Sequence, residues 1–167
     1  MAKSGKILVI GSSNTDMVIK SGRLPMPGET VLGGEFLMCA GGKGANQAVA
    51  AARLGGDVSF LCKVGNDVFG DNSIRGYEKD GIVTTHILRS EKPSGVALIL
   101  VDGNGENSIS VAPGANGDFS VDDVECLSSV IVEADIVVLQ LEIPVSTVLR
   151  AAHIAHDAGA YVILNPA

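Results

Sequence analysis

Short, continuous apolar runs recur along the chain at intervals of a few tens of residues. A run without polar alternation predicts a strand that is buried on both faces of a sheet. The clearest runs are residues 6–10 and 136–141, and residues 58–64 and 161–164 also have strand patterns. We expect these runs to be the strands of a mostly parallel sheet.

Longer segments in which apolar residues recur at helical spacing separate several of these runs. The spacing predicts helices over 43–54 and 145–158, each followed by glycine. A further helix is expected to be capped by Asp71 and closed by Gly81, and another to begin at a capping pattern at Ser120. Strands that alternate with helices predict an α/β fold, in which helices cover both faces of the sheet.

Two regions do not fit this alternation. Residues 16–20 and 30–38 have extended patterns, and residues 96–101 and 107–111 flank a turn-rich segment that predicts a β-hairpin. We expect these regions to form a small added sheet that stands off the main body.

Composition narrows the class of protein. The 167 residues, 46% of them hydrophobic and 19% charged, suit one well-packed domain over 1–167. The net charge of −7 and the lack of a basic run argue against nucleic acid or an anionic membrane as a partner. No apolar run approaches the ~18 residues of a membrane span, and no signal-peptide pattern precedes the first strand.

The three cysteines, Cys39, Cys62 and Cys126, show no metal-binding spacing. We interpret them as reduced thiols and expect a cytoplasmic protein without a metal site in this chain.

Polar side chains follow the strands where an open α/β sheet binds ligands, beyond the carboxyl ends. The candidates come after the first strand, at the glycine-rich entrance of the first long helix, and after the 136–141 run: Asn14, Asp16, Gly42, Lys43, Asn46 and Glu142. Carboxylates can accept hydrogen bonds from neighbouring hydroxyls, and asparagine both donates and accepts them. The set therefore suits a ligand with many hydroxyl groups.

Each candidate can also be explained by a structural role that involves no ligand. Asn14 and Asp16 are residue types that shape turns, Lys43 can be a solvated lysine, and Glu142 can cap the helix that follows Pro144. The segment 41–44 is similar to a phosphate-binding Walker loop, but it lacks the Ser or Thr that holds magnesium. Only the joint position of the candidates favours a binding site.

The motif GGKGANQA at residues 41–48, with Gly55 and Gly65 after it, resembles the N-terminal signature of ribokinase-like (PfkB-type) carbohydrate kinases. Other similar stretches are residues 11–16, 27–30, 94–98, 105–107, 114–116, 140–142 and 165–167. The resemblance spans essentially the whole chain. It implies a mostly parallel sheet flanked by helices, with a small β lid over about 15–38 and 94–112 that pairs two subunits into a homodimer.

The resemblance also implies roles for individual residues. Asn14 and Asp16 would hold the sugar hydroxyls, Lys43 and its neighbours would close the other side, and Glu142 would contact a hydroxyl or its bound water. Lid residues would cover the apolar side of the sugar. The complete implied set is Asn14, Thr15, Asp16, Gly42, Lys43, Gly44, Ala45, Asn46, Ala97, Ile99, Val111 and Glu142.

The implied reaction is ATP-dependent phosphorylation of D-ribose to D-ribose 5-phosphate, assisted by Mg²⁺ and K⁺. The family's nucleotide site, cation loop and catalytic aspartate lie in a C-terminal half that is missing here, so we expect that base beyond Ala167. We therefore expect this chain to belong to a longer enzyme, to leave a sheet edge exposed, and to be inactive alone. Alternatives are a deoxyribose, fructose or nucleoside kinase, or a non-catalytic sugar-binding or dimerisation module.

Overall fold

The structure is a computed structural model that describes residues 5–167. Its strands are β1 (Lys6–Ile10), β2 (Asn14–Lys20), β3 (Glu35–Gly41), β4 (Asp57–Leu61), β5 (Lys63–Gly65), β6 (Leu88–Ser90), β7 (Gly95–Val101), β8 (Asn107–Ala112), β9 (Ile136–Gln140) and β10 (Tyr161–Asn165). Its helices are α1 (Lys43–Arg53), α2 (Val68–Lys79), α3 (Val121–Cys126), α4 (Ser128–Val132) and α5 (Val145–Asp157), with a 3₁₀ turn at Gly114–Asp118.

The central sheet has the order β10-β9-β1-β4, and all its strand pairs are parallel. Successive residues of β1 point to opposite faces. Leu8 and Ile10 enter a core with α3, α4 and α5, whereas Val9 enters a second core with α1 and α2. Burial on both faces explains why the strand has no polar alternation, and it confirms the expected helix-covered parallel sheet.

A second four-stranded sheet, which we call the lid sheet, has the order β3-β2-β7-β8. Its two central strands, β2 and β7, are parallel to each other, and each has an antiparallel neighbour at the outer edge. The predicted hairpin is the pair β7 and β8. The first lid segment differs from the sequence prediction because β3 begins only at Glu35, after Gly33 at φ +93°, and continues to Gly41.

The apolar run at 58–64 is two strands rather than the predicted single one. β4 ends at Leu61 in the central sheet, and β5 pairs with β6 in a separate two-stranded sheet. The change of sheet occurs at Cys62, whose carbonyl accepts a hydrogen bond from Leu88 N. An apolar run cannot reveal this change, because the run remains buried on both sides of it.

The expected capping box at Ser120 is confirmed by reciprocal hydrogen bonds with Asp123. The predicted cap at Asp71 is wrong, because the cap of α2 is Asp67 and Asp71 lies in the first turn of the helix. Asp67 Oδ1 accepts a hydrogen bond from Gly70 N at 2.9 Å, and its carboxylate also accepts hydrogen bonds from Ser94 N and Ser94 Oγ, each at 2.7 Å. Asp67 therefore joins the start of α2 to the base of the lid sheet.

Replacement of Asp67 by alanine is expected to lower the free energy of unfolding by about 2 kcal/mol, since the helix loses its cap and Ser94 loses its acceptor. Burial raises the pKa of Asp67, but hydrogen bonds from Ser94 and Gly70 outweigh it and lower the pKa. The stabilisation is therefore present above the unfolded value of about 3.9 and lost as the pH falls through the lower folded value. Denaturant titrations at pH 7 and in acid would measure both effects.

Asp71→Ala is the matched control for this prediction. Asp71 pairs with Arg89 at the surface, and such pairs contribute about 0.5 kcal/mol. Equal losses in the two variants would contradict the assignment of Asp67 as the cap.

Within residues 5–167, no helix combines the length and the apolar character needed to cross a bilayer.

Candidate functional site

The loop after β9 meets the amino end of α1 through Glu142. Its Oε2 atom accepts hydrogen bonds from Ser12 Oγ at 2.6 Å and from the backbone N–H of Lys43 at 2.8 Å. Its Oε1 atom accepts one from Lys43 Nζ at 2.5 Å. This carboxylate therefore satisfies a free N–H group of the first helical turn, where the helix dipole also favours negative charge.

Glycines allow the connection after β1 to lie directly against this helix end. Gly42 has φ +91°, a left-handed conformation that residues with a side chain rarely adopt. A Cβ atom on Gly44 would lie 2.6 Å from Ser12 N, which is too close for two non-bonded atoms. Ser12 then bonds the helix start, because its Oγ accepts from Gly44 N at 3.2 Å and its carbonyl accepts from Ala45 N at 2.9 Å.

Asp16 is the second carboxylate of this region. It lies in β2 against Gly41, where any side chain at position 41 would collide with its carboxyl group. Among the described residues, no donor forms a hydrogen bond with the Asp16 carboxylate. Burial, and then the charge of Glu142, raise its pKa above the usual range.

Glu142 shows the opposite behaviour. Burial raises the pKa of Glu142, but the hydrogen bonds from Lys43 and Ser12 together outweigh this effect, so that the net shift is downward. The site thus holds one carboxylate that is saturated by protein donors and one that is open to donors from elsewhere. An open, partly buried carboxylate is suited to accept hydrogen bonds from ligand hydroxyls.

Asn14 begins β2 and is 7% exposed. Its Oδ1 accepts a hydrogen bond from Asn116 Nδ2 at 2.7 Å, above the backbone of Gly95. Because side chains alternate along a strand, Asn14 and Asp16 lie on the same face of the lid sheet.

The strand register places the apolar candidates on that face as well. Asp16 pairs with Ala97, Ala97 pairs with Val111, and Ile99 is two residues further along β7. Ala97 is buried, whereas Val111 is 55% exposed. The lid therefore presents a polar end, with Asn14 and Asp16, next to an apolar surface.

Three of the candidate residues line a separate cavity. Thr15 points to the opposite face of the lid sheet, and it lines a cavity of about 670 Å³ together with Asn46 and Ala45. Neither Asp16 nor Lys43 nor Glu142 lines that cavity. The structure thus pairs Lys43 with Glu142 and places the Asp16 carboxylate close enough to Glu142 for their charges to interact. Thr15, Ala45 and Asn46 lie beside a neighbouring space.

Several structural interpretations from the sequence are now excluded. Asn14 and Asp16 do not form a turn, because both are paired within β2 on either side. Lys43 is not simply solvated, since it pairs with Glu142. Glu142 does not cap α5, which has no side-chain cap; it bonds the start of α1 instead.

Two residues of the region were missed by sequence reasoning. Ser12 precedes the first predicted candidate by two positions, and Asn116 lies in the segment GANGD. That segment is the 3₁₀ turn Gly114–Asp118. Both residues lie in stretches that carry the family resemblance, 11–16 and 114–116, and this resemblance is the signal that could have identified them. In the part of the chain that the structure describes, no group of three potential ligands could hold a metal ion.

Comparisons with known proteins identify the family of this chain. The family model described as pfkB family carbohydrate kinase matches residues 4–167. The chain is 44% identical over 162 residues to ribokinase of Haemophilus influenzae and 43% identical over 162 residues to deoxyribokinase of Salmonella typhi. Each alignment covers 96% of this chain and 53% of the relative, so the chain spans about half the length of these curated relatives.

Solved structures show the same relationship. The structure of Arabidopsis thaliana ribokinase complexed with ribose and ATP superposes with a TM-score of 0.84 at 33% sequence identity. The match covers 96% of this chain and 53% of the plant protein. The architecture described above is thus the ribokinase-like α/β fold, of which the chain contains about half.

Proposed function

Because this chain belongs to the pfkB family of carbohydrate kinases, we propose that it forms the sugar-binding half of a ribokinase. The complete enzyme would transfer the terminal phosphoryl group of ATP to the 5-hydroxyl of D-ribose. The observation that carries the proposal is the meeting of Asp16, Lys43 and Glu142 at one sheet edge, next to the apolar face of the lid.

In this proposal, Asp16 accepts hydrogen bonds from two neighbouring ribose hydroxyls. Its carboxylate has no hydrogen-bond donor among residues 5–167, and burial, followed by the charge of Glu142, raises its pKa. Hydroxyl groups of the sugar would donate hydrogen bonds to it and stabilise the charged form. Asn14 holds a hydroxyl beside it, and Glu142 holds Lys43 in a fixed position at the other side of the sugar.

The lid covers the apolar side of the ring in the proposed complex. Ala97, Ile99 and Val111 share the face of Asp16, so that they can contact the carbon atoms while the polar groups bind the hydroxyls. Closure of the lid would remove water and fix the attacking hydroxyl, which is most of what phosphoryl transfer requires of a protein.

The remaining proposed contacts lie around the entrance of α1. Gly42, Gly44 and Ala45 would present backbone to the sugar, because no side chain larger than methyl lies at these positions. Thr15 and Asn46 line the neighbouring cavity. We propose that they contact the sugar at the edge of the site, from the side of that cavity.

The catalytic base and the sites for ATP, Mg²⁺ and K⁺ are proposed to lie in sequence beyond Ala167. A homodimer through the lid sheet is also proposed. It is supported by exposed apolar side chains on all four lid strands: Ile19, Phe36, Leu37, Met38, Leu98 and Ile109. The use of ATP and the three free thiols are consistent with a cytoplasmic enzyme.

Deoxyribose is the second candidate substrate, because a deoxyribokinase is as similar to the chain as a ribokinase is. We favour ribose because Asn14 and Asp16, on the same face of the lid sheet, provide contacts for a hydroxyl that 2-deoxyribose lacks. Other sugars such as fructose, or a non-catalytic module that binds sugar or dimerises, are the remaining alternatives.

Kinetics on the full-length enzyme would test the proposal. We expect kcat/KM for ribose to exceed that for 2-deoxyribose by at least about tenfold, because loss of the hydroxyl leaves buried polar groups unpaired. Residues 1–167 alone should bind ribose in a calorimeter without transferring labelled phosphate. A preference for deoxyribose would select the second candidate, and an absence of binding to every sugar would reject both.

A further inference from the structure

Asn116 contacts the segment that carries Asn14 through three hydrogen bonds. Its Oδ1 accepts from Ser13 N at 2.9 Å, and its Nδ2 donates to the Ser13 carbonyl at 3.1 Å and to Asn14 Oδ1 at 2.7 Å. The residue is 2% exposed and follows lid strand β8 in the 3₁₀ turn. Within residues 5–167, the groups that form hydrogen bonds with the Asn116 side chain come from two consecutive residues, Ser13 and Asn14.

These contacts determine the orientation of both amides. A backbone N–H can only donate, so the atom of Asn116 that faces Ser13 N must be its oxygen. The other atom is then Nδ2, which can only donate, and the atom of Asn14 that faces it must be an acceptor. Asn14 Oδ1 is thereby used, and Asn14 Nδ2 is turned away from Asn116.

The Nδ2 atom of Asn14 is left available. Within residues 5–167 it has no hydrogen-bond acceptor, and it is not among the fully buried polar atoms that lack a partner. It therefore keeps some contact with solvent, next to the open carboxylate of Asp16 on the same face of the lid sheet.

Gly95 supports the same arrangement. A Cβ atom at this position would collide with both Asn14 Oδ1 and Asn116 Nδ2, so the amide pair can form only above a glycine. Gly95 is also the strand partner of Asn14 at the start of β7. The hydrogen bond thus lies at the point where the lid sheet leaves the body of the protein.

We propose that Asn116 is a positioning residue that fixes Asn14 as a pure hydrogen-bond donor toward the sugar. The inference rests on the proposed function and extends it to substrate recognition. One sugar hydroxyl can then donate a hydrogen bond to Asp16 while its oxygen accepts a hydrogen bond from Asn14 Nδ2. A deoxy position can do neither, and the pair would select a hydroxyl at the contacted carbon.

Asn116→Asp in the full-length enzyme tests this assignment with a side chain of the same shape. The new carboxylate still accepts from Ser13 N, but its second oxygen has no hydrogen to donate to the Ser13 carbonyl or to Asn14 Oδ1. The backbone carbonyl cannot change its character, whereas the amide of Asn14 can rotate and donate to the carboxylate. Asn14 then presents an oxygen to the sugar beside Asp16. The measured quantity is kcat/KM for ribose divided by kcat/KM for the mono-deoxyribose that the wild-type enzyme uses least well. We expect this ratio to fall about tenfold or more in the variant.

This ratio does not depend on the fraction of enzyme that is folded, so a purely structural role of Asn116 would leave it unchanged. Asn72→Asp is the matched control, because Asn72 is exposed and its side chain has no hydrogen-bond partner other than Arg75 within residues 5–167. Asn116→Ser serves as a second variant where the aspartate fails to fold. Its shorter side chain cannot hold Asn14 and should also lower the ratio.

The possible results separate the two levels of inference. A wild-type ratio retained in folded Asn116→Asp or Asn116→Ser enzyme would overturn the positioning role and leave the proposed function intact. A wild-type enzyme that phosphorylates none of the sugars would overturn the proposed function, and the inference would fall with it.

Discussion

Asp16→Asn in the full-length enzyme is expected to lower kcat/KM for ribose about 100-fold or more while raising the thermal stability of the sugar-free protein. The loss of activity follows because hydrogen bonds to a charged acceptor contribute about 1.5 to 3 kcal/mol each, and each 1.4 kcal/mol is a factor of ten. The gain in stability follows from the environment of the carboxylate. It is partly buried, lies near the charge of Glu142, and accepts no hydrogen bond from residues 5–167.

The pH dependence of this gain has a defined sign. The pKa of Asp16 is raised in the folded state, so the folded protein binds this proton more tightly than the unfolded chain does. Ionisation of Asp16 therefore costs stability as the pH rises through the folded pKa. The melting temperature of Asp16→Asn should exceed that of wild type at pH 7, and the difference should disappear below the unfolded value of about 3.9.

Asp57→Asn is the matched control, because Asp57 is exposed at the amino end of β4, at the far end of the central sheet from the site. Thermal melts and ribose kinetics on both variants are the required measurements. An Asp16→Asn enzyme that is less stable but fully active would show that Asp16 is structural rather than ligand-binding.

Glu142→Ala is expected to lower both stability and activity. The substitution removes the acceptor of Lys43 N and Ser12 Oγ, leaving polar groups at the start of α1 without a partner. Loss of such acceptors costs about 2 to 4 kcal/mol in total. Lys43 Nζ also loses its fixed position, so we expect kcat/KM for ribose to fall at least about tenfold.

The acid side of the stability curve provides a second measurement. Although burial raises the pKa of Glu142, its hydrogen bonds lower it overall, so the stabilisation is present above the unfolded value of about 4.3. It is lost as the pH falls through the lower folded value. The difference between wild type and Glu142→Ala in denaturant titrations should therefore shrink in acid.

Glu133→Ala is the control for Glu142. Its side chain is 71% exposed and pairs with Lys6 at the surface, where loss of an ion pair changes stability by about 0.5 kcal/mol or less. If Glu142→Ala were as stable as Glu133→Ala, the hydrogen bonds that join β9 to α1 would be unimportant to the fold.

The two carboxylates thus differ in what each contributes. Glu142 is satisfied within the protein and stabilises the entrance of α1, whereas Asp16 is unsatisfied and destabilises the sugar-free state. Binding sites commonly carry such a stability cost, because a group that is ready for a ligand lacks partners until the ligand arrives. The opposite signs expected for the two substitutions distinguish a scaffold carboxylate from a ligand-binding one.

Local sequence patterns were sufficient for the main architecture. The unbroken apolar run of β1, the alanine-rich α1 and the capping box at Ser120 each depend on neighbours within a few residues. Burial periodicity and helix capping act over that range, so the sequence predicts these elements. The position of Asn14, Lys43 and Glu142 after strand ends also followed from the rule for open α/β sheets.

The contacts that give these residues their properties were decided by the tertiary structure. Ser12 and Glu142 are 130 residues apart in sequence, Lys43 and Glu142 are 99 apart, and Asn14 and Asn116 are 102 apart. Whether Asp67 or Asp71 caps α2 also depended on a distant residue, because Ser94 donates hydrogen bonds to Asp67 and not to Asp71.

The sequence by itself therefore determined the helix-covered parallel sheet, the hairpin of the lid and the edge at which polar residues gather. Only the tertiary structure decided that Glu142 bonds α1 rather than α5, that Asp16 remains open, and that Asn116 orients Asn14. The physical reason is the distance along the sequence over which each effect acts. Periodicity and capping act between neighbours, whereas a hydrogen bond requires two atoms about 3 Å apart, and the folded chain alone brings such distant residues that close.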